Sequence, residues 1–197
     1  MLHNAFEQPV HQAQQTFRCL LSAMAEPLLP RPLPVLPPPL PGLMAGSAAL
    51  LYTLIDQEVS WWSPELPPDT LASLTFHTGT KRAATPDEAD FVLVPRGHAM
   101  PDLAALKAGS VDYPDRSATL LIEVDDFDTQ QVAASGPGIA GVRRFGANGL
   151  PRDFWRQWQD NHSRFPQGVD VLLISEQAVA GLPRSTALQE ADHVCSR

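Results

Sequence analysis

Lysine is nearly missing from this sequence: Lys81 and Lys107 are the only two in 197 residues. A pyridoxal phosphate enzyme needs a lysine for its Schiff base. Lys107 falls in a short apolar segment and Lys81 in the loop TGTKRAATP, so only Lys81 is a conceivable candidate, and nothing near it in sequence activates it. Cysteine is as scarce. Cys19 and Cys195 make no CxxC and no disulfide framework, which favours a reducing compartment, the cytoplasm. Two cysteines are also too few for an iron–sulfur cluster, which takes four. Bases are outnumbered, 14 against 22 acids, and the net charge of -8 repels nucleic-acid phosphates and anionic membranes. The longest apolar run, LMAGSAALLYTLI at 43–55, is too short to span a bilayer. The opening residues MLHNAFEQPVHQAQQ lack a basic start and an apolar core, so no secretory signal is expected.

What remains is an ordinary globular composition, 44% hydrophobic and 18% charged, of a length expected to form one domain over 1–197. The clearest helix is 9–25. Phe6, Val10, Ala13, Phe17, Leu20, Leu21 and Met24 recur at steps of three and four and predict one buried face, with Pro9 in the first turn and Pro27 as the stop. Eight prolines between 27 and 41 forbid helix and interior strand, and predict a stiff, extended tether across the surface. Beyond it, helix is expected at 43–56, 68–76, 101–109 and 151–162. Strand is expected at 59–63, 90–95, in a pair at 117–124 and 130–135, and in a hairpin between 164 and 186. The alternation predicts an α/β protein with a mixed β-sheet flanked by helices on both sides.

No motif carries catalysis. GPGIAG at 136–141 fits G-x-G-x-x-G, but the following VRRFGANGLP cannot form the helix that a dinucleotide site requires. A turn of backbone amides at Gly136 and Gly138 with Arg143 beside it remains an anion-binding candidate. Asp126-x-Asp128 is read as a strand-end turn before a metal pair. The six histidines, including His77 in FHT and His193 in His193-x-Cys195, show no ligand spacing, so no metal and no cofactor are expected. Ser185 has no nucleophile elbow around it. Arg184, Ser185 and Thr186 at the end of the last hairpin are therefore candidates for binding an anion or a partner, not for nucleophilic chemistry. Adjacent Trp61 and Trp62 point to opposite faces of a strand. One can fill the core and the other is a candidate for a subunit interface.

Several stretches resemble, in order, the PhnH subunit family of the carbon–phosphorus lyase system. They are AFEQPVHQAQQTFRCLLSAMAEP (5–27), FHT (76–78), SGPGI (135–139), FW with NHSRFPQGVDVLL (154–173) and LPRST (182–186). The patterns F-P-x-G-x-D and P-R-[ST]-T are specific together. Leu28 stands where the family usually has glycine, and the proline segment is richer than usual. The resemblance implies a degenerate relative of type I pyridoxal-phosphate transferases without the cofactor lysine. It further implies a homodimer within a larger carbon–phosphorus lyase assembly, which transfers an alkylphosphonate onto the ribose C1 of ATP with loss of adenine. Three readings follow: an accessory, non-catalytic subunit of that assembly; a stand-alone pyridoxal phosphate enzyme using Lys81; and a module that binds phosphonate or nucleotide through Arg184 and the Gly136 turn.

Overall fold

The computed structural model describes residues 2–189. Ten strands and four α-helices follow one another among the described residues. α1 (Pro9–Ala25) precedes the two-residue β1 (Arg31–Pro32) and α2 (Ala45–Leu54). Next come β2 (Ser60–Trp62), α3 (Pro68–Thr78), β3 (Lys81–Arg82), β4 (Phe91–Val94) and β5 (Thr119–Glu123). β6 (Val132–Ser135), β7 (Arg143–Phe145), α4 (Phe154–Ser163), β8 (Asp170–Ile174), β9 (Ala178–Leu182) and β10 (Ala187–Leu188) complete it. Seven strands form a mixed sheet in the order β1-β9-β8-β5-β4-β2-β3, and β10-β6-β7 form a small second sheet. The strands from β3 to β8 are parallel, whereas β9 runs antiparallel to β8 and β1 antiparallel to β9. The expected mixed sheet is therefore present.

Both faces of the large sheet are covered, which is why β4, β5 and β8 read as unbroken apolar runs. Leu93, Leu121, Leu172 and Ile174 face α1, α2 and α3. Val92, Leu120, Ile122, Val171 and Leu173 face the other way, onto Phe154 and Trp158 of α4 and onto Ala134 and Phe145 of the small sheet. Each large side chain fully buried in these layers contributes roughly 1.5–3 kcal/mol.

Four expectations are corrected. The 117–124 and 130–135 segments do not pair: β5 lies between β4 and β8, while β6 belongs to the small sheet. β5 takes the parallel β8 rather than β6 as its second neighbour, and β6 pairs with β7 and β10. The 101–109 helix shrinks to one 3-10 turn, Leu103–Ala105, because burying Leu103 and Leu106 draws the backbone into an extended path that ends in a bridge between Ala108 and Ser117. The proline segment is not only a surface tether. Leu28, Leu33 and Leu40 are buried, and Arg31–Pro32 adds an edge strand to β9, the one place in a sheet that tolerates proline. Finally, α1 has the expected bounds but buries only part of the expected face: Phe6 and Leu20 are buried and Met24 packs against the core. Thr16, Leu20 and Ala23 are buried, while Val10, Phe17 and Leu21 are 88%, 46% and 54% exposed. Thr16 can be buried because its hydroxyl donates to the Gln12 carbonyl one turn back, at 2.9 Å.

Candidate functional site

Open α/β sheets usually bind ligands beyond the carboxyl ends of their parallel strands. At that edge, Glu123 ends β5 and is only 4% exposed. Its two oxygens accept from the backbone N–H of Met44, at 2.8 Å, and of Arg96, at 2.9 Å. Met44 immediately precedes α2, so the carboxylate sits at the positive end of that helix. The chain thus places its own anion where an open sheet would receive one. Gly46 tightens the same edge, since a β-carbon there would lie 2.7 Å from the Ser175 carbonyl. A cleft of about 440 Å³ remains beside Glu123, lined by His98, Met100, Gly149, Pro151 and Gln157 among others.

The opposite edge, at the amino ends of the parallel strands, holds Arg184. Its backbone N–H and its Nε–H both donate to Asp170 Oδ1, at 2.7 and 3.1 Å, and one Nη lies 2.5 Å from Asp170 Oδ2. The guanidinium also donates to the Ser117 hydroxyl and, at 2.8 Å, to the Pro114 carbonyl. Only 12% of the Arg184 side chain is exposed. A fork satisfied by a carboxylate, a hydroxyl and a carbonyl has its donors committed inside the chain.

The same turn is fixed from α4. The buried Asn161 side chain donates to the Val169 carbonyl and accepts from the Val169 N–H, clamping the Phe165–Gly168 turn that leads into Asp170. His162 Nδ1 donates to the Arg184 carbonyl at 2.8 Å. Thr186 is buried, and its carbonyl accepts from the Trp158 indole at 3.0 Å. Next to this network, Lys107 Nζ donates to Asp90 Oδ1 at 2.8 Å, and the Ser60 amide and hydroxyl donate to Asp90 Oδ2. Burial works to raise the Asp90 carboxyl, but the hydrogen bonds from Lys107 and Ser60 outweigh it and hold the group below the usual carboxylate range.

The glycine turn lies elsewhere. Gly138 (φ +79°) meets the end of α1, where a β-carbon would fall 2.0 Å from the Ala25 carbonyl, and Gly136 abuts the Ser185 carbonyl. Arg143 donates to the Pro27 carbonyl. Gly138 and Arg143 therefore clasp the junction between α1 and the proline segment, and Gly136 packs against Ser185 and Thr186. Arg184 turns away from them towards Asp170. Trp61 is buried under the α-helical layer, and Trp62 is half-buried against the opposite apolar cluster, since β2 is an interior strand with both faces covered. Lys81 is exposed on the edge strand β3. Asp126 Oδ1 accepts from the Asp128 N–H and the Asn148 side chain, the expected turn. No three His, Cys, Asp or Glu side chains cluster among the described residues, and His193 and Cys195 lie outside them. No described helix is long and apolar enough to cross a membrane.

The model of the bacterial phosphonate metabolism protein (PhnH) family matches residues 4–189. The chain belongs to the PhnH family. It is 36% identical over 188 residues to the alpha-D-ribose 1-methylphosphonate 5-triphosphate synthase subunit PhnH of Rhizobium meliloti (strain 1021), covering 94% of each chain. It is 30% identical over 176 residues to the putative C-P lyase subunit protein HtxG of Stutzerimonas stutzeri, covering 88% of this chain and 84% of that one. The two PhnH motifs singled out in the sequence, F-P-x-G-x-D and P-R-[ST]-T, meet in space through Asp170 and Arg184. Sequence reasoning placed Arg184 but not its partners, and it missed Glu123. The available signal for Glu123 was a lone acid closing the apolar run LLIEV.

Proposed function

We propose that this protein is an accessory, non-catalytic subunit of a ribose 1-methylphosphonate 5-triphosphate synthase within a carbon–phosphorus lyase complex. The observation that carries the reading is the full-length match to a synthase subunit of that name, 94% of each chain. The site geometry supports it. Glu123 fills the ligand edge of the sheet, Arg184 is engaged within the fold, and neither lysine stands at the carboxyl edge, Lys107 being paired with Asp90 and Lys81 exposed on β3. In this reading the chain is one domain, a cofactor-free relative of the type I pyridoxal-phosphate transferase frame. It works in the cytoplasm as a homodimer docked on the other subunits and helps them move an alkylphosphonate onto the ribose C1 of ATP with release of adenine.

The test is reconstitution. The remaining synthase subunits are assayed for adenine release from ATP and methylphosphonate with and without this chain. The expected result is activity that depends on the chain, together with none from the chain alone. Adenine release by the isolated chain would overturn the accessory role. Incubation with pyridoxal phosphate is expected to give no borohydride-reducible adduct at Lys81. Such an adduct, lost in Lys81→Ala, would make the chain an enzyme in its own right.

A further inference from the structure

α1 is amphipathic in a way that its packing does not use. At 3.6 residues per turn, Val10, Phe17 and Leu21 share a stripe about 110° around the helix from the buried Thr16, Leu20 and Ala23. The stripe points to solvent, and partly buried Ala13 and Met24 join it to the body of the protein. Its other edge is polar: His11 and Gln15 hydrogen-bond to each other there, and Arg18 stands exposed. Arg18 is the only Lys, Arg, Asp or Glu in the helix and has no ion-pair or hydrogen-bond partner among the described residues. The nearest acids in sequence, Glu7 and Glu26, lie beyond the helix ends, and Glu26 is paired with Arg31. In a chain of net charge -8, this face is apolar and cationic.

We infer that the Val10–Phe17–Leu21 stripe is the surface through which this chain docks onto a different subunit of its complex. The surface it fits is an apolar groove with a carboxylate along the edge that meets Arg18. This rests on the proposed function and adds the contact surface to it. A bulky aromatic at the centre of an apolar patch, with a cation at its rim that no described acid meets, matches the anatomy of a protein interface. A second copy of this chain fits less well. A two-fold axis through the middle of the stripe would bring Arg18 close to its own symmetry mate, placing like charges together without a counter-ion.

The experiment co-expresses the tagged chain with the remaining, untagged synthase subunits and measures their retention. It also measures the thermal midpoint and sedimentation mass of the isolated chain. Phe17→Glu/Leu21→Glu is expected to keep the midpoint and mass of the wild type and to weaken association roughly thirtyfold or more. Arg18→Glu is expected to weaken it several-fold, with the deficit shrinking at high salt. If the charged pair disturbs folding, Phe17→Ser/Leu21→Ser reads the same contact without added charge. Retention equal to wild type in the folded double variant would overturn the inference and leave the proposed function standing. A wild-type dimer that the double variant dissociates to monomer would show that the stripe receives a second copy instead. No retention of any synthase subunit by the wild type would overturn the proposed function itself.

Discussion

At the Arg184 end of the sheet the charged groups point inward, whereas along the outer side of α1 the apolar groups point outward. Arg184 is held by Asp170, Ser117 and Pro114, and little of its side chain meets water. Val10, Phe17 and Leu21 are exposed, although each is apolar. The difference is set by what surrounds each region. The amino ends of five parallel strands leave a polar seam that needs filling, and an arginine fork with a fixed carboxylate fills it with directed hydrogen bonds. α1 already covers the sheet with Thr16, Leu20 and Ala23 and does not need its second stripe for folding. Polarity alone therefore does not tell which side chains this fold buries.

The comparison can be broken from either side, beginning with the largest effect. Asp170→Ala should cost about 3 kcal/mol in urea unfolding, since it strands a mostly buried guanidinium. Glu123→Ala should cost about 2 kcal/mol by leaving the Met44 and Arg96 amides without their carboxylate acceptor. Added acetate should return part of that loss in thermal melts, and no return would mean that the edge does not prefer an anion. Lys107→Met should cost no more than about 1 kcal/mol at neutral pH, because the pair is about one-third exposed. Asp90 is held below its ordinary range when folded, so its contribution is present above about pH 4 and is lost as the pH falls through the folded value. The acid limb of stability below about pH 4 should accordingly be shallower in Lys107→Met than in wild type. The smallest effect should come from the α1 stripe: Phe17→Glu/Leu21→Glu should change the stability of the isolated chain by no more than about 0.5 kcal/mol.

Local signals carried the parts of the fold that are locally determined. The bounds of α1 follow from Pro9 and Pro27, the β8–β9 hairpin follows from its apolar runs and turn, and one buried tryptophan of the Trp61–Trp62 pair follows from strand alternation, though not which one. The remainder depended on partners distant in sequence. The packed face of α1 could not be told from its apolar face, because a buried threonine satisfied by its own helix looks polar in sequence. β5 and β6 looked like a pair by proximity, but β5 pairs with β8, a strand distant in sequence, and β6 lies in the small sheet. The site was legible to the same degree. The motif around Arg184 was visible, but its commitment to Asp170, 14 residues away, and to Ser117, 67 away, was not. Glu123 was hidden because only the folded chain brings the start of α2 to the end of β5.

Arg184 is bound into the fold through Asp170 and Ser117. A double-mutant cycle on the isolated chain tests it most directly, with Arg184→Ala, Asp170→Ala and the pair compared by urea unfolding. Each single change should destabilise by more than about 1 kcal/mol, and the two should couple by about 2 kcal/mol. Single changes within about 0.5 kcal/mol of wild type, with no coupling between them, would contradict it.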